Sequence, residues 1–208
     1  RFFYNAIGRI KSFIKLLFPK LDKLFNLSSN NISVEDLYYS VNKSVPSLIR
    51  MDADELSYPI HILIRYEIEK ELINGDMKVC DLPEIWNEKM YNYIGIAVPN
   101  DRLGILQDVQ WSKGQFGYFP SYAIGNAYMA QILNVLKGKI DFDVCIENNN
   151  LINISTWLKD NIYCHGKEYL PYEIIKTISG EELKPKYYVK YLKNKYNDVY
   201  GVSQVDNK

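Results

Sequence analysis

Two histidines, three cysteines and scattered carboxylates are the usual metal ligands this chain offers. A zinc hydrolase takes three protein ligands and keeps a fourth position open. His61 and His165 are too few for that, and no H-E-x-x-H stretch is present. Cys164 and His165 are sequence neighbours, which is poor geometry for one tetrahedral ion. His61 stands between Ile60 and Ile62 in a helical stretch and reads as a hydrogen-bonded structural histidine. Cys80, Cys145 and Cys164 are odd in number and far apart, as expected of reduced thiols rather than a disulfide framework. There is no Gly-rich phosphate loop, no G-x-S-x-G and no dinucleotide fingerprint. No catalytic residue and no metal ligand is therefore expected within this chain.

Three segments carry recognition chemistry instead. Arg50 lies in Leu48-Ile49-Arg50-Met51-Asp52-Ala53-Asp54, at a loop-to-helix junction. A guanidinium presents a fixed fork of donors that suits a carboxylate, although an ion pair with Asp52 or Asp54 is the plainer use. The second segment, residues 104–111, sets Gln107, Asp108 and Gln110 between apolar anchors and ends at Trp111. That is the make-up of a wall that orients a ligand, or equally of a turn whose tryptophan is buried. The third, residues 116–122, holds Tyr118 and Tyr122, phenols able to donate to an oxyanion or a carboxylate. Aromatic packing is the alternative, more so for Phe116 and Phe119.

The elements that must position these residues are helical. Phe2, Phe3, Ala6, Ile7, Ile10, Phe13, Ile14 and Leu17 recur at three- and four-residue spacing, an amphipathic helix ended by Pro19 or shortly after. It starts without a cap, as a chain beginning inside a longer helix would. Ser33 caps a short helix running to about Val41. Leu48-Ile49 is offered as a short strand. Residues 52–74 read as a long helix with Ala53, Leu56, Ile60, Leu63, Ile64, Ile68 and Leu72 as its stripe, kinked at Pro59 and closed by Gly75. Asp81 opens another helix, with Pro83 in its first turn, to about Tyr93. Residues 95–120 lose the helical period and are too aromatic for disorder, so they read as a packed, functional loop. Helices resume at about 121–136, 151–163, 171–178 and 185–196. The fold class is all-α, in one helical domain over residues 1–208.

Twenty-five basic residues balance twenty-five acidic ones, which argues against a nucleic-acid partner. No segment has the roughly 18 apolar residues of a membrane span. The charged beginning is unlike a signal peptide, so a cytoplasmic location is expected.

Ile49-Arg50-Met51-Asp52-Ala53-Asp54 resembles the I-R-x-x-A-D signature of the carboxypeptidase Taq family, the thermostable zinc metallocarboxypeptidases. Residues 104–111 resemble its G-x-x-Q-D-x-H-W signature, and residues 81–90 and 117–126 look like the same family. The likeness extends from Arg1 to about Tyr200. It implies a helical, grooved fold, a homodimer, and removal of carboxy-terminal residues from peptides. It also implies zinc held by an H-E-x-x-H helix and a later glutamate, with the helix glutamate as general base, all upstream of the region seen here. By the same resemblance Arg50 grips the substrate's terminal carboxylate and Tyr122, or less so Tyr118, assists. Asp54, Gln107, Asp108, Gln110 and Trp111 line the cleft.

One departure stands out: the signature's histidine is Gln110, which can donate a hydrogen bond but cannot carry a proton. The expectation is the carboxy-terminal part of a zinc carboxypeptidase, inactive alone and paired as a homodimer or with a complementing upstream part. The alternative is a non-catalytic, peptide-binding relative. A truncated groove would also leave an exposed apolar patch along Phe2, Phe3, Ile7 and Ile10.

Overall fold

The computed structural model describes residues 2–202, and among them all regular structure is helical. Helices α1 (Lys11–Phe25), α2 (Val34–Asn42), α3 (Tyr58–Asn74), α4 (Leu82–Ile94), α5 (Pro120–Lys137), α6 (Phe142–Glu147), α7 (Leu151–Asn161), α8 (Pro171–Ser179) and α9 (Pro185–Tyr200) follow in order. Contacts group the chain into two compact units, one of residues 1–42 with 125–208, the other of residues 43–124.

In the first unit, the amphipathic run at the beginning is broken rather than continuous. Phe2–Ile7 form a π-helical turn, and α1 begins at Lys11. Pro19 does not end α1, which runs on to Phe25 and closes on Asn26 in the left-handed region at φ 51°. Pro19 and Lys15 are both exposed, so the hydrogen bond the proline removes lies on the solvent side, where water can replace it. Ser33 and Asp36 form a reciprocal cap on α2: the Asp36 amide donates to Ser33 Oγ at 3.1 Å and the Ser33 amide to Asp36 Oδ2 at 2.9 Å.

The expected apolar patch is mostly covered. Ala6 and Ile7 are core residues with Met129, Leu133, Phe142, Ile154 and Leu158, Ile10 packs on that cluster, and Phe2 meets Phe142 edge-on. Of the four patch residues only Phe3 is exposed. Helices of the same unit supply the cover. One of them, α6, has no counterpart in the sequence reading because six residues are too few to show a helical period. Its start is nevertheless marked by Asp141, which accepts from the Val144 amide.

In the second unit, Leu48-Ile49 is not a strand; none occurs among the described residues. Residues Arg50–Asp52 form a single 3₁₀ turn, and α3 starts at Tyr58, six residues later than the apolar stripe suggests. The cause is Asp54. Its carboxylate accepts from the amides of Val45, Leu56 and Ser57 and from Ser57 Oγ, holding residues 53–57 out of the helix. Pro59 thus falls in the first turn, where a missing donor costs nothing, and no kink is needed. Gly75 closes α3 at φ 81°.

Helix α4 packs beside α3 through Lys89, which reaches Glu67 at 2.9 Å, and through the Ile64, Ile68, Trp86, Met90 and Ile105 cluster. The loop after α4 is irregular apart from short turns at Ile105–Gln107 and Trp111–Lys113. It is pinned at Gly104, where a Cβ would stand 2.8 Å from Val98 Cγ1 and 3.3 Å from Trp86 Cδ1.

Candidate carboxylate-recognition site

Helix α3 carries His61, Arg65 and Glu69 at i, i+4 and i+8, one polar row beside the apolar row of Ile60, Ile64 and Ile68. All three polar side chains are buried. Buried charge must be paired, and the loop of residues 104–117 brings the partners. Asp108 is shared: Oδ2 accepts from Arg65 Nε at 2.6 Å, and Oδ1 from Arg50 Nε at 3.1 Å and Nη2 at 2.7 Å. Arg65 Nη1 donates to the His61 carbonyl at 2.8 Å, and Arg50 Nη1 to the Tyr58 hydroxyl at 3.2 Å. Glu69 accepts from Trp111 Nε1 at 2.8 Å and from the Gly117 amide at 3.0 Å.

Gln107 sets the backbone. Its Oε1 accepts from the Arg50 amide at 2.9 Å while Nε2 donates to the carbonyls of Leu48 and Gly104, both at 3.1 Å. The two signature segments are thereby tied together at backbone and side chain alike.

Aromatic rings complete the enclosure. Phe119 lies 5.4 Å from both guanidinium carbons, Tyr122 lies 5.1 Å from that of Arg50, and Trp86 lies 4.7 Å from that of Arg65. Trp111 meets Trp86 and Phe119 edge-on. Such contacts favour a desolvated guanidinium.

The electrostatics follow from sharing. Two guanidiniums around one carboxylate leave one positive charge in excess. Burial pushes Arg65 down to about 10, with Asp108 opposing, so it stays protonated at neutral pH. Burial also pulls Arg50 down, but Asp108 and Tyr58 outweigh it and hold the group above its ordinary value. His61 is pushed down to about 4 by burial first and then by the charges of Arg65 and Arg50, so it is neutral at pH 7. It is not the hydrogen-bonded histidine expected: neither ring nitrogen has a hydrogen-bond partner among the described residues.

Arg50 has five N–H bonds. Asp108 takes the Nε–Nη2 edge and Tyr58 takes one Nη1 hydrogen, which leaves one hydrogen each on Nη1 and Nη2 for a second acceptor. About 5% of the residue is exposed.

Of the residues singled out from the sequence, Arg50, Gln107, Asp108, Trp111 and Tyr122 come together here. Asp54 does not pair with Arg50; nor does Asp52, and the carboxylate that does lies 58 residues further along the chain. Tyr118 is exposed and meets the site through an edge-on contact with Tyr122. Phe116 is exposed rather than packed. Gln110 opens the 111–113 turn, with its side-chain Oε1 buried and unbonded among the described residues. Arg65, Tyr58 and Glu69 escaped the sequence reading: His61, Arg65 and Glu69 do recur at every fourth position, but Glu67, Lys70 and Glu71 on the same helix hide the row. Among the described residues, no three His, Cys, Asp or Glu side chains converge as a metal donor set.

The profile of the carboxypeptidase Taq (M32) metallopeptidase family matches residues 1–196. Carboxypeptidase 1 of Bacillus subtilis is 44% identical over 200 residues, which is 96% of this chain and 40% of that protein. Thermostable carboxypeptidase 1 of Pyrococcus furiosus is 38% identical over 94% of this chain and 39% of its own length. The crystal structure of the M32 carboxypeptidase from Deinococcus radiodurans superposes with a TM-score of 0.93 at 34% identity, over 97% of this chain and 41% of that one. The chain thus spans about 40% of the length of the relatives it matches. It belongs to the carboxypeptidase Taq (M32) metallopeptidase family.

Proposed function

We propose that this chain forms the substrate-gripping part of a zinc metallocarboxypeptidase, in which Arg50 binds the carboxylate at the end of a peptide. The observation that carries the reading is the shared Asp108, which leaves Arg50 charged and with two N–H groups uncommitted. Tyr122, stacked on Arg50 and only partly buried, is the adjoining group best placed to follow a bound carboxylate. A family metal does not fit the described residues of this chain, which form no donor set. Their part, on this reading, is to bind and orient the peptide. Metal ligands and general base belong, on this reading, to other residues of a longer polypeptide or a complementing partner, and the chain alone cleaves nothing.

The test is complementation. This chain, co-expressed with the part of the Bacillus subtilis relative that it does not match, is expected to release carboxy-terminal residues from peptides. Arg50→Ala is then expected to raise KM about tenfold or more, with a smaller change in kcat, because one charged hydrogen-bonding group contributes roughly 1.5–3 kcal/mol. An unchanged KM would refute the role of Arg50.

A second reading is favoured by the burial of Arg50 and by Gln110 in place of histidine: a non-catalytic, peptide-binding relative in which the ion cluster only pins the loop. It predicts no turnover with any complementing part, and a loss of stability as the effect of Arg50→Ala.

A further inference from the structure

We propose that Arg65 is a positioning residue for carboxylate recognition: by engaging Asp108 from the opposite side, it keeps the charge of Arg50 available to a ligand. This rests on the reading of Arg50 as the carboxylate-binding residue.

Asp108 and Arg50 alone would make a neutral pair. An incoming carboxylate would meet the repulsion of Asp108 almost as strongly as the attraction of Arg50, since the two groups are in contact at 2.7 Å. Arg65 changes that balance. It holds the other carboxylate oxygen, so the trio carries a net positive charge and Asp108 cannot swing wholly toward Arg50.

Arg65 cannot act by touching the peptide. It is fully buried, lies over Trp86 and beside Phe119, and its Nη1 is committed to the His61 carbonyl. Whatever it contributes passes through Asp108. Neighbouring charges do not take over the role: Glu69 is held by Trp111 and Gly117, and Asp54 by the amides ahead of α3.

Two acetylated tripeptides of one sequence, one with a free carboxyl terminus and one amidated, supply the test on the full chain by calorimetry. The wild type should prefer the free acid. Arg65→Gln should lose that preference by about tenfold, the scale of removing one nearby charge in a protein-like dielectric. In the Arg65→Gln/Asp108→Asn double variant no carboxylate neutralises Arg50, and most of the preference should return. Asp108→Asn alone should bind the free acid at least as tightly as wild type.

A purely structural Arg65 predicts the opposite order, with the double variant no better than Arg65→Gln, and that result overturns the inference. Should Arg65→Gln fail to fold by circular dichroism, the comparison of Asp108→Asn and the double variant with wild type decides. Weaker binding than wild type in Asp108→Asn overturns the inference. A wild type that binds acid and amide alike overturns the Arg50 reading itself and the inference with it. Discrimination retained in Arg65→Gln overturns the inference alone.

Discussion

At the scale of single residues, the cluster is held together by a hydrogen-bond acceptor at position 108 that bridges both guanidiniums. Asp108→Ala would leave two buried guanidiniums facing one another, and removing one partner of a buried ionic group costs about 3–5 kcal/mol. Urea denaturation should show a loss of that order, and an unchanged midpoint would mean the cluster is solvated. His61 makes a separate prediction. Its folded pKa of about 4 lies below the ordinary 6.5, so below pH 6.5 the unfolded chain binds the extra proton more readily. Stability from this group is therefore complete above pH 6.5, falls as pH drops toward 4, and levels off below that. The span is on the order of 3 kcal/mol at most. His61→Leu should flatten this part of the pH dependence while costing little at pH 7, because no hydrogen bond is lost. A variant as acid-sensitive as wild type would contradict it. Which residues would cluster was only partly legible from sequence. Arg50 and Asp108 stood out through their signatures, but their pairing joins positions 58 residues apart and no local pattern encodes that. Arg65 was missed because apolar periodicity counts what is greasy and passes over a buried cation.

At the scale of elements, helix ends were read well where a local residue sets them. Gly75 after α3 and Gly95 after α4 adopt positive φ, and the Ser33–Asp36 box opens α2, each a signal contained in a few neighbouring residues. Beginnings were misread where a side chain competes with the helix for amides, as Asp54 does before Tyr58. Pro19 was misread for a different reason: its cost falls on an exposed face and the packing of α1 outweighs it. Pro19→Ala should accordingly raise stability by about 2 kcal/mol, the helix-interior penalty less the entropy a proline removes from the unfolded chain. Its thermal or urea midpoint checks this, and a lower midpoint would mean the proline is needed for the path of α1. Gly104→Ala should do the reverse. The added methyl meets Val98 and Trp86, and overpacking of that kind costs about 1–3 kcal/mol. A neutral result would show that the loop yields easily.

At the scale of the whole molecule, charge is balanced and no helix among the described residues is long and apolar enough to cross a membrane. Each compact unit has its own apolar cluster, and in the first unit that cluster covers Phe2, Ile7 and Ile10, leaving Phe3 exposed. The helical class and the family were legible throughout, since long periodic runs and two ordered signatures survive local error. Metal behaviour belongs to this scale: a structural zinc site would couple ion binding to folding, and the described residues offer no such site. Neither added zinc nor a chelator should move the melting temperature of the chain, and a zinc-dependent rise would point to donors outside the cluster described. The most direct measurement of the central claim watches Arg50 itself. Its Nε–H resonance, assigned by comparison with Arg50→Lys, should shift on titration with an acetylated tripeptide bearing a free carboxyl terminus and stay fixed with the amidated form. A shift with both peptides, or with neither, would contradict recognition of a peptide's end by Arg50.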